Sequence, residues 1–244
     1  MFVLADKNRF LTALQLGKIN LQGQFVNSSN YTFLGELEYE DLKMPVVYKP
    51  MRGEQPLWDF PLRTLARREV AAFVVSENLG WDLVPPTVYR RSNTPYGPGS
   101  LQLYIQHDSA YNYFQFSKED RQRLRPVVVF DLLINNADRK GGHVLCGPDG
   151  HLWVIDHGTC FNIDEKLRTV IWDFVGEPIP SALLENLSVF AAALDAHSEP
   201  FMALKSFLRI AEIQALARRA RAIVLQEKFP EPDMTRRPYP WPPV

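Results

Sequence analysis

The chain has only two cysteines in 244 residues, Cys146 and Cys160, too few for a disulfide framework, so a reducing, cytoplasmic setting is expected. It has almost no net charge. Twenty-seven Lys and Arg against 28 Asp and Glu leave −1, which gives no overall attraction toward nucleic acid or an anionic membrane. No apolar run approaches the roughly 20 residues needed to span a bilayer, so integral membrane association is not expected either. The first ten residues, MFVLADKNRF, are charged by position 6 and lack the apolar stretch of a signal peptide. No internal repeat is visible. What is present is a hydrophobic content of 46%, enough to bury the core of one two-lobed domain or two small ones.

Committed chemistry is concentrated in residues 131–161, DLLINNADRKGGHVLCGPDGHLWVIDHGTCF. An apolar run ends at Ile134 and gives way to a polar loop bearing Asn136, Asp138 and Arg139. A β-hairpin follows, with strands over 143–146 and 151–155 around Gly147-Pro148-Asp149-Gly150. Asp156 comes just past the second strand and before a Gly, a place suited to holding a hard cation. Asp138, on the preceding loop, is placed to orient a nucleophile beside it, the division of labour used in phosphoryl transfer. Taken singly, each Asp reads as a turn or strand terminator. Their joint occurrence beside Arg139 favours the functional reading. A competing reading makes His143-x-x-Cys146 and His157-x-x-Cys160 ligands of a structural zinc. Strand alternation would turn His143 and Cys146 to opposite faces, which argues against it.

In chain order, residues 6–17 read as a short helix and 18–26, 31–39 and 43–49 as a meander of strands, with the turn Asn27-Ser28-Ser29-Asn30 between the first two. Small hydrogen-bonding residues there suit either an ordinary hairpin turn or phosphate oxygens. The third strand ends at Lys49-Pro50. The helix predicted over 64–79 puts Glu69 in the apolar stripe of Leu65, Ala72, Phe73 and Ser76, while Arg63, Arg67 and Arg68 lie off it. A carboxylate on a core face is costly without a cation, and Lys49 is the economical partner. Strands over 86–91 and 100–106 lead to a lobe boundary near 106–108. The chain then turns helical from 117, with Pro126 opening a second segment or bending the first. Asp131 also sits where the helix pattern wants an apolar residue, and accepts hydrogen bonds from backbone N–H groups of the 136–141 loop in this reading. Residues 162–180 lack periodicity, helices fit 181–196 and roughly 208–227, and six prolines crowd the tail 230–244.

Lys49-Pro50, Glu69, the strand Gly99 to Ile105, Asn136-Ala137-Asp138-Arg139 and Val154 to Phe161 occur in the order seen in phosphatidylinositol 3-/4-kinase-like proteins. The chain resembles the type II phosphatidylinositol 4-kinases and their bacterial relatives over roughly residues 25–165, and HipA-type serine kinases less closely. The resemblance implies an α+β bilobal kinase-like fold, with an antiparallel-sheet N-lobe over 1–106, a mainly helical C-lobe over 107–229 and a Pro-rich tail. It implies ATP with Mg²⁺ or Mn²⁺ as cofactors. Ser28, Ser29 and Asn30 would belong to the phosphate loop, Lys49 would contact the phosphates, and Glu69 would orient Lys49. Tyr104, Ile105 and Gln106 would form the adenine hinge. Asp138, with Arg139 beside it, would serve the catalytic loop, and Asp156 the metal.

One departure matters. Such kinases carry an Asn five residues after the loop Asp as a second metal ligand, and here that position is His143, a poorer partner for Mg²⁺. The metal at Asp156 and His143 is then held differently, with Mn²⁺ one option, or the protein is a nucleotide-binding pseudokinase. Gly141-Gly142 also replaces polar residues. Neither a cysteine-rich lipidation stretch nor a basic membrane face is present, so the phospho-acceptor is open between protein, lipid and small molecule.

Overall fold

Period-two alternation over the first half of the chain produces a five-stranded antiparallel sheet in order β1-β2-β3-β5-β4, formed by β1 (Lys18–Gln24), β2 (Phe33–Tyr39), β3 (Leu42–Pro50), β4 (Thr87–Arg90) and β5 (Gly99–Leu103). The computed structural model describes residues 7–26 and 30–244, so Ser28 and Ser29 of the expected phosphate loop lie outside the described residues. Register pairs Lys49 of β3 with Ser100 of β5. In β3 Met44, Val46 and Tyr48 are buried on one face, beside Leu14 of α1 (Lys7–Leu16), which places Lys49 on the other face.

Between β3 and β4 runs α2 (Leu65–Leu79), ended by Gly80 in the left-handed region at φ 67°. Glu54 secures its first turn by accepting from the N–H groups of Leu65 and Ala66. Apolar residues of α2 pack into the larger of the main buried clusters with those of α4 (Arg125–Ile134), α5 (Ser181–Asp195), α6 (Glu199–Leu204) and α7 (Ile210–Gln226). The short helix α3 (Lys118–Gln122) is capped by Ser117, whose hydroxyl accepts from Asp120 N–H. Pro126 falls in the first turn of α4 and therefore opens a second helix rather than bending one. The helix α6 lies between the two helices expected over 181–196 and 208–227, and Pro200 sits in its first turn, where no N–H is needed.

Three local expectations are corrected. The strand expected over 100–106, β5, ends at Leu103, and residues 104–107 form a connection. His143 closes a single 3₁₀ turn, Gly141–His143, before the two-stranded hairpin of β6 (Val144–Cys146) and β7 (Leu152–Val154), so strand alternation does not govern it. Arg68, expected off the buried stripe, is 1% exposed: it donates to Cys160 O at 2.6 Å and pairs with Glu212 of α7, clamping α2 to the helical part of the chain.

Candidate active site

Lys49 leaves the sheet on the face of α2, and its Nζ meets Glu69 Oε1 at 2.5 Å. The second Glu69 oxygen accepts the backbone N–H of His157 at 2.9 Å, so this nearly buried carboxylate is answered on both sides. Burial pushes the Glu69 carboxyl up, against the pull of Lys49. Burial also opposes a charged Lys49, but the carboxylates of Asp156 and Glu69 outweigh it and raise its pKa. Lys49 Nζ also donates to Asp156 Oδ1 at 2.9 Å.

Asp156 stands at φ 63°, a left-handed conformation that a non-glycine residue adopts only when its surroundings enforce it. His143 Nε2 lies 3.3 Å from its second oxygen. Desolvation resists ionisation of Asp156, yet Lys49 and then His143 hold its carboxyl well below the usual range. Burial, against the pull of Asp156, takes His143 down to about 4, leaving it neutral at neutral pH. The Lys140 N–H approaches its Nδ1 at 3.4 Å, so Nε2 carries the proton on the side of Asp156.

Asp138 shares one narrow cavity with Lys49, Glu69, Asp156, Asn30 and Thr159. Burial, with the nearby charge of Asp156, lifts its carboxyl to about 6, although Lys140 at 3.6 Å and Arg168 pull the other way. Asn30 holds the Gln55 N–H at 2.7 Å on its side-chain oxygen. Gly158 brings the segment after Asp156 against α2: a Cβ there would sit 3.3 Å from Leu65 Cβ. The loop glycine Gly141 has a similar cause, since a Cβ would lie 2.6 Å from the Phe114 ring.

Not every expected residue joins this group. Arg139, expected among the catalytic residues, is fully buried behind the loop: its guanidinium spans both oxygens of Asp131, donates to Ile155 O at 2.9 Å and meets His157 Nε2 at 2.9 Å. With its donors spent inside, it shapes the loop and does not reach the cavity. The Asp131 carboxylate therefore holds the loop through side chains, Arg139 and Asn136 Nδ2, and not through backbone N–H groups as expected, while its carbonyl accepts the Asn136 N–H. Tyr104, Ile105 and Gln106 are not in the cavity wall around Lys49. The Tyr104 N–H is taken by Pro45 O, Ile105 is buried in the sheet cluster, and its carbonyl accepts from the His107 ring. The two His-x-x-Cys pairs are engaged separately, His143 on Asp156, His157 on Arg139, with Cys160 buried.

As a metal-binding set, the cavity offers one half-exposed carboxylate, Asp156, with Asp138 across from it. Among the described residues no group of three His, Cys, Asp or Glu converges. That fits Mg²⁺ or Mn²⁺ held by one or two carboxylates together with substrate phosphates and water, and does not fit an all-protein cage.

This geometry sits in a fold that is recognisable. The chain superimposes on the Golgi casein kinase with Mn/ADP bound at a TM-score of 0.58 over 98% of this chain and 80% of that one, at 15% identity. The class defined by fold is thus the α+β, bilobal, kinase-like one. By sequence, the chain belongs to the same family as Protein Rv2133c of Mycobacterium tuberculosis, to which it is 41% identical over 93% of its own length and 92% of that protein's. A segment covering 50% of the chain is 28% identical to phosphatidylinositol 4-kinase gamma 3 of Arabidopsis thaliana, of which it spans 27%. No family model matches. Among the described residues, no helix is long and apolar enough to cross a membrane.

Proposed function

We propose that the chain is an ATP-dependent phosphotransferase of the phosphatidylinositol 3-/4-kinase-like type, with a sheet lobe over 1–106 and a helical lobe over 107–229. The observation that carries this is the Lys49 ammonium held between Glu69 and Asp156, with Asp138 in the same cavity. Lys49, anchored by Glu69, is placed to take up phosphate oxygens of the nucleotide. Asn30, with Ser28 and Ser29, would lie over those phosphates, and the 104–106 connection would meet the adenine. The cavity, of about 60 Å³, lies below the roughly 300–1,000 Å³ of small-molecule sites, so a nucleotide bound there would part Lys49 from Asp156.

Asp156 would hold Mg²⁺ or Mn²⁺, with His143 steadying its second oxygen. The bound cation would neutralise charge on the transferring phosphoryl group. Asp138 accepts the proton of the acceptor hydroxyl; that oxygen bonds to the γ-phosphorus as the bond to the β–γ bridging oxygen breaks, and ADP leaves with the electron pair. Labelled-ATP transfer with mass-spectrometric detection of autophosphorylation, across Mg²⁺ and Mn²⁺, tests the reading. His143 supports a second one: it occupies Asp156 where an oxygen ligand would otherwise stand, which suits a nucleotide-binding pseudokinase. Nucleotide binding with no transfer under any metal would select that alternative.

A further inference from the structure

A second cavity, of about 670 Å³, opens between α4, α7, the segment 164–168 and the tail. Its size falls in the roughly 300–1,000 Å³ range of small-molecule sites. The tail that walls it is fastened to the rest of the chain: Thr169 N–H donates to Pro238 O at 3.0 Å, Gly141 N–H to Pro243 O at 2.8 Å, and Arg236 Nη1 to Glu165 O at 2.9 Å.

Three guanidinium groups lining this cavity have no ion-pair partner among the described residues: Arg168, Arg219 and Arg237. Arg219 is only 9% exposed. Its Nε donates to Leu133 O and its Nη1 to Asn162 O, while Nη2 is buried with no hydrogen-bond partner. A buried cation with carbonyls as its only partners and one nitrogen unanswered is costly unless an anion completes it. No carboxylate around the cavity hydrogen-bonds Arg219, although the charge of Glu165 favours its protonated form. Asp164, Glu165 and Glu231 are exposed, and Asp233 is engaged by Thr235 and Arg236.

The cavity is also joined to the loop that carries Asp138. Arg168 N–H donates to Asn136 O at 2.8 Å, and Arg168 O accepts from Arg139 N–H at 2.9 Å, so its backbone brackets Asp138 on both sides. The Arg168 charge is felt at the Asp138 carboxyl. We propose that this cavity is the acceptor subsite, taking the phosphate or carboxylate of a small anionic alcohol whose hydroxyl is thereby presented to Asp138. Planar guanidinium forks suit either anion through paired, charge-assisted hydrogen bonds. This rests on the phosphotransferase reading and adds the chemical class of its acceptor.

Calorimetric titration of the full chain with inorganic phosphate, glycerol 3-phosphate and glycerate separates the sources of the anion. Variants Arg168→Ala and Arg237→Glu change side chains without bonds in the fold, and Arg219→Lys removes the unanswered fork while keeping the charge. The expected result is one site per chain for at least one soluble anion, weakened about tenfold or more by each substitution, as loss of a charge-assisted contact implies. Lys49→Ala should leave that affinity within about twofold, because Lys49 lies in the other cavity. Anion binding lost in Lys49→Ala but kept in the arginine variants would overturn the proposal, as would binding only to vesicles containing phosphatidylserine or phosphatidylinositol, or no binding at all. ATP titrated into the same proteins reads the nucleotide claim separately: anion binding without ATP binding removes the acceptor role and the kinase reading together, whereas ATP binding without anion binding removes the subsite alone.

Discussion

Lys49 Nζ and Asp156 Oδ1 are 2.9 Å apart although 107 residues separate them in sequence. The contact joins β3 to the segment after β7 at the cavity that Glu69 and Asp138 also line.

The first expectation concerns that lysine and its anchor. Lys49→Ala should weaken ATP binding by about tenfold or more, since it removes a charge-assisted contact to phosphate. Glu69→Ala should weaken binding too, and should in addition destabilise the fold by about 1–3 kcal/mol, because it removes one of the two carboxylates that hold Lys49 and leaves the buried His157 N–H without its acceptor. Titration calorimetry and urea unfolding read the two effects. A Glu69→Ala variant as stable as the parent would contradict the assignment of Glu69 as the structural anchor.

A different outcome is expected for the pair Arg139 and Asp131, which lies wholly inside. Asp131→Asn or Arg139→Met should cost about 3–5 kcal/mol by leaving one charge buried and unpaired. Arg139→Lys should not restore the parent stability, because a point charge cannot span both Asp131 oxygens and also reach Ile155 O. Denaturant midpoints measure this. A stable Arg139→Met that has lost only transfer would place Arg139 in the chemistry after all.

The Asp138 carboxyl gives a pH signature. Its pKa in the folded chain, about 6, lies above the unfolded value of about 3.9. Between those values the folded state binds more protons than the unfolded one, so stability from this group falls as pH rises through the window. NMR titration of metal-free protein should show one Asp carboxyl changing near pH 6, missing in Asp138→Asn. Lys140→Ala should move it higher, because Lys140 favours the ionised form. An Asp138 that titrates in the ordinary range would contradict the buried geometry of its carboxyl.

Much of this arrangement was legible because it violates a local pattern. Glu69 and Asp131 are carboxylates in apolar stripes, and such violations have to be answered by a cation, which for Glu69 could be named as Lys49. Arg68, Glu212 and Arg219 were not legible. They look like the solvated side of amphipathic helices, and Arg68 reaches its partner 144 residues away. Burial of that kind is decided by tertiary packing and leaves no mark on helical period. His143 was misplaced for a related reason: a one-turn 3₁₀ helix has too few residues to show a period, so it was read as strand. Arg139 was assigned by adjacency to Asp138, but successive residues of a loop point apart, one to the cavity and one into the core.

The central claim places the cation at Asp156 and the acceptor at Asp138, and ATP titrations with and without Mg²⁺ or Mn²⁺ test it most directly. Asp156→Asn should remove the metal-dependent part of ATP affinity while metal-free nucleotide binding survives. Asp138→Asn should keep ATP–metal affinity within about threefold of the parent and lose transfer, since positioning the acceptor adds little to the ground-state complex. Full metal dependence retained by Asp156→Asn would contradict the account.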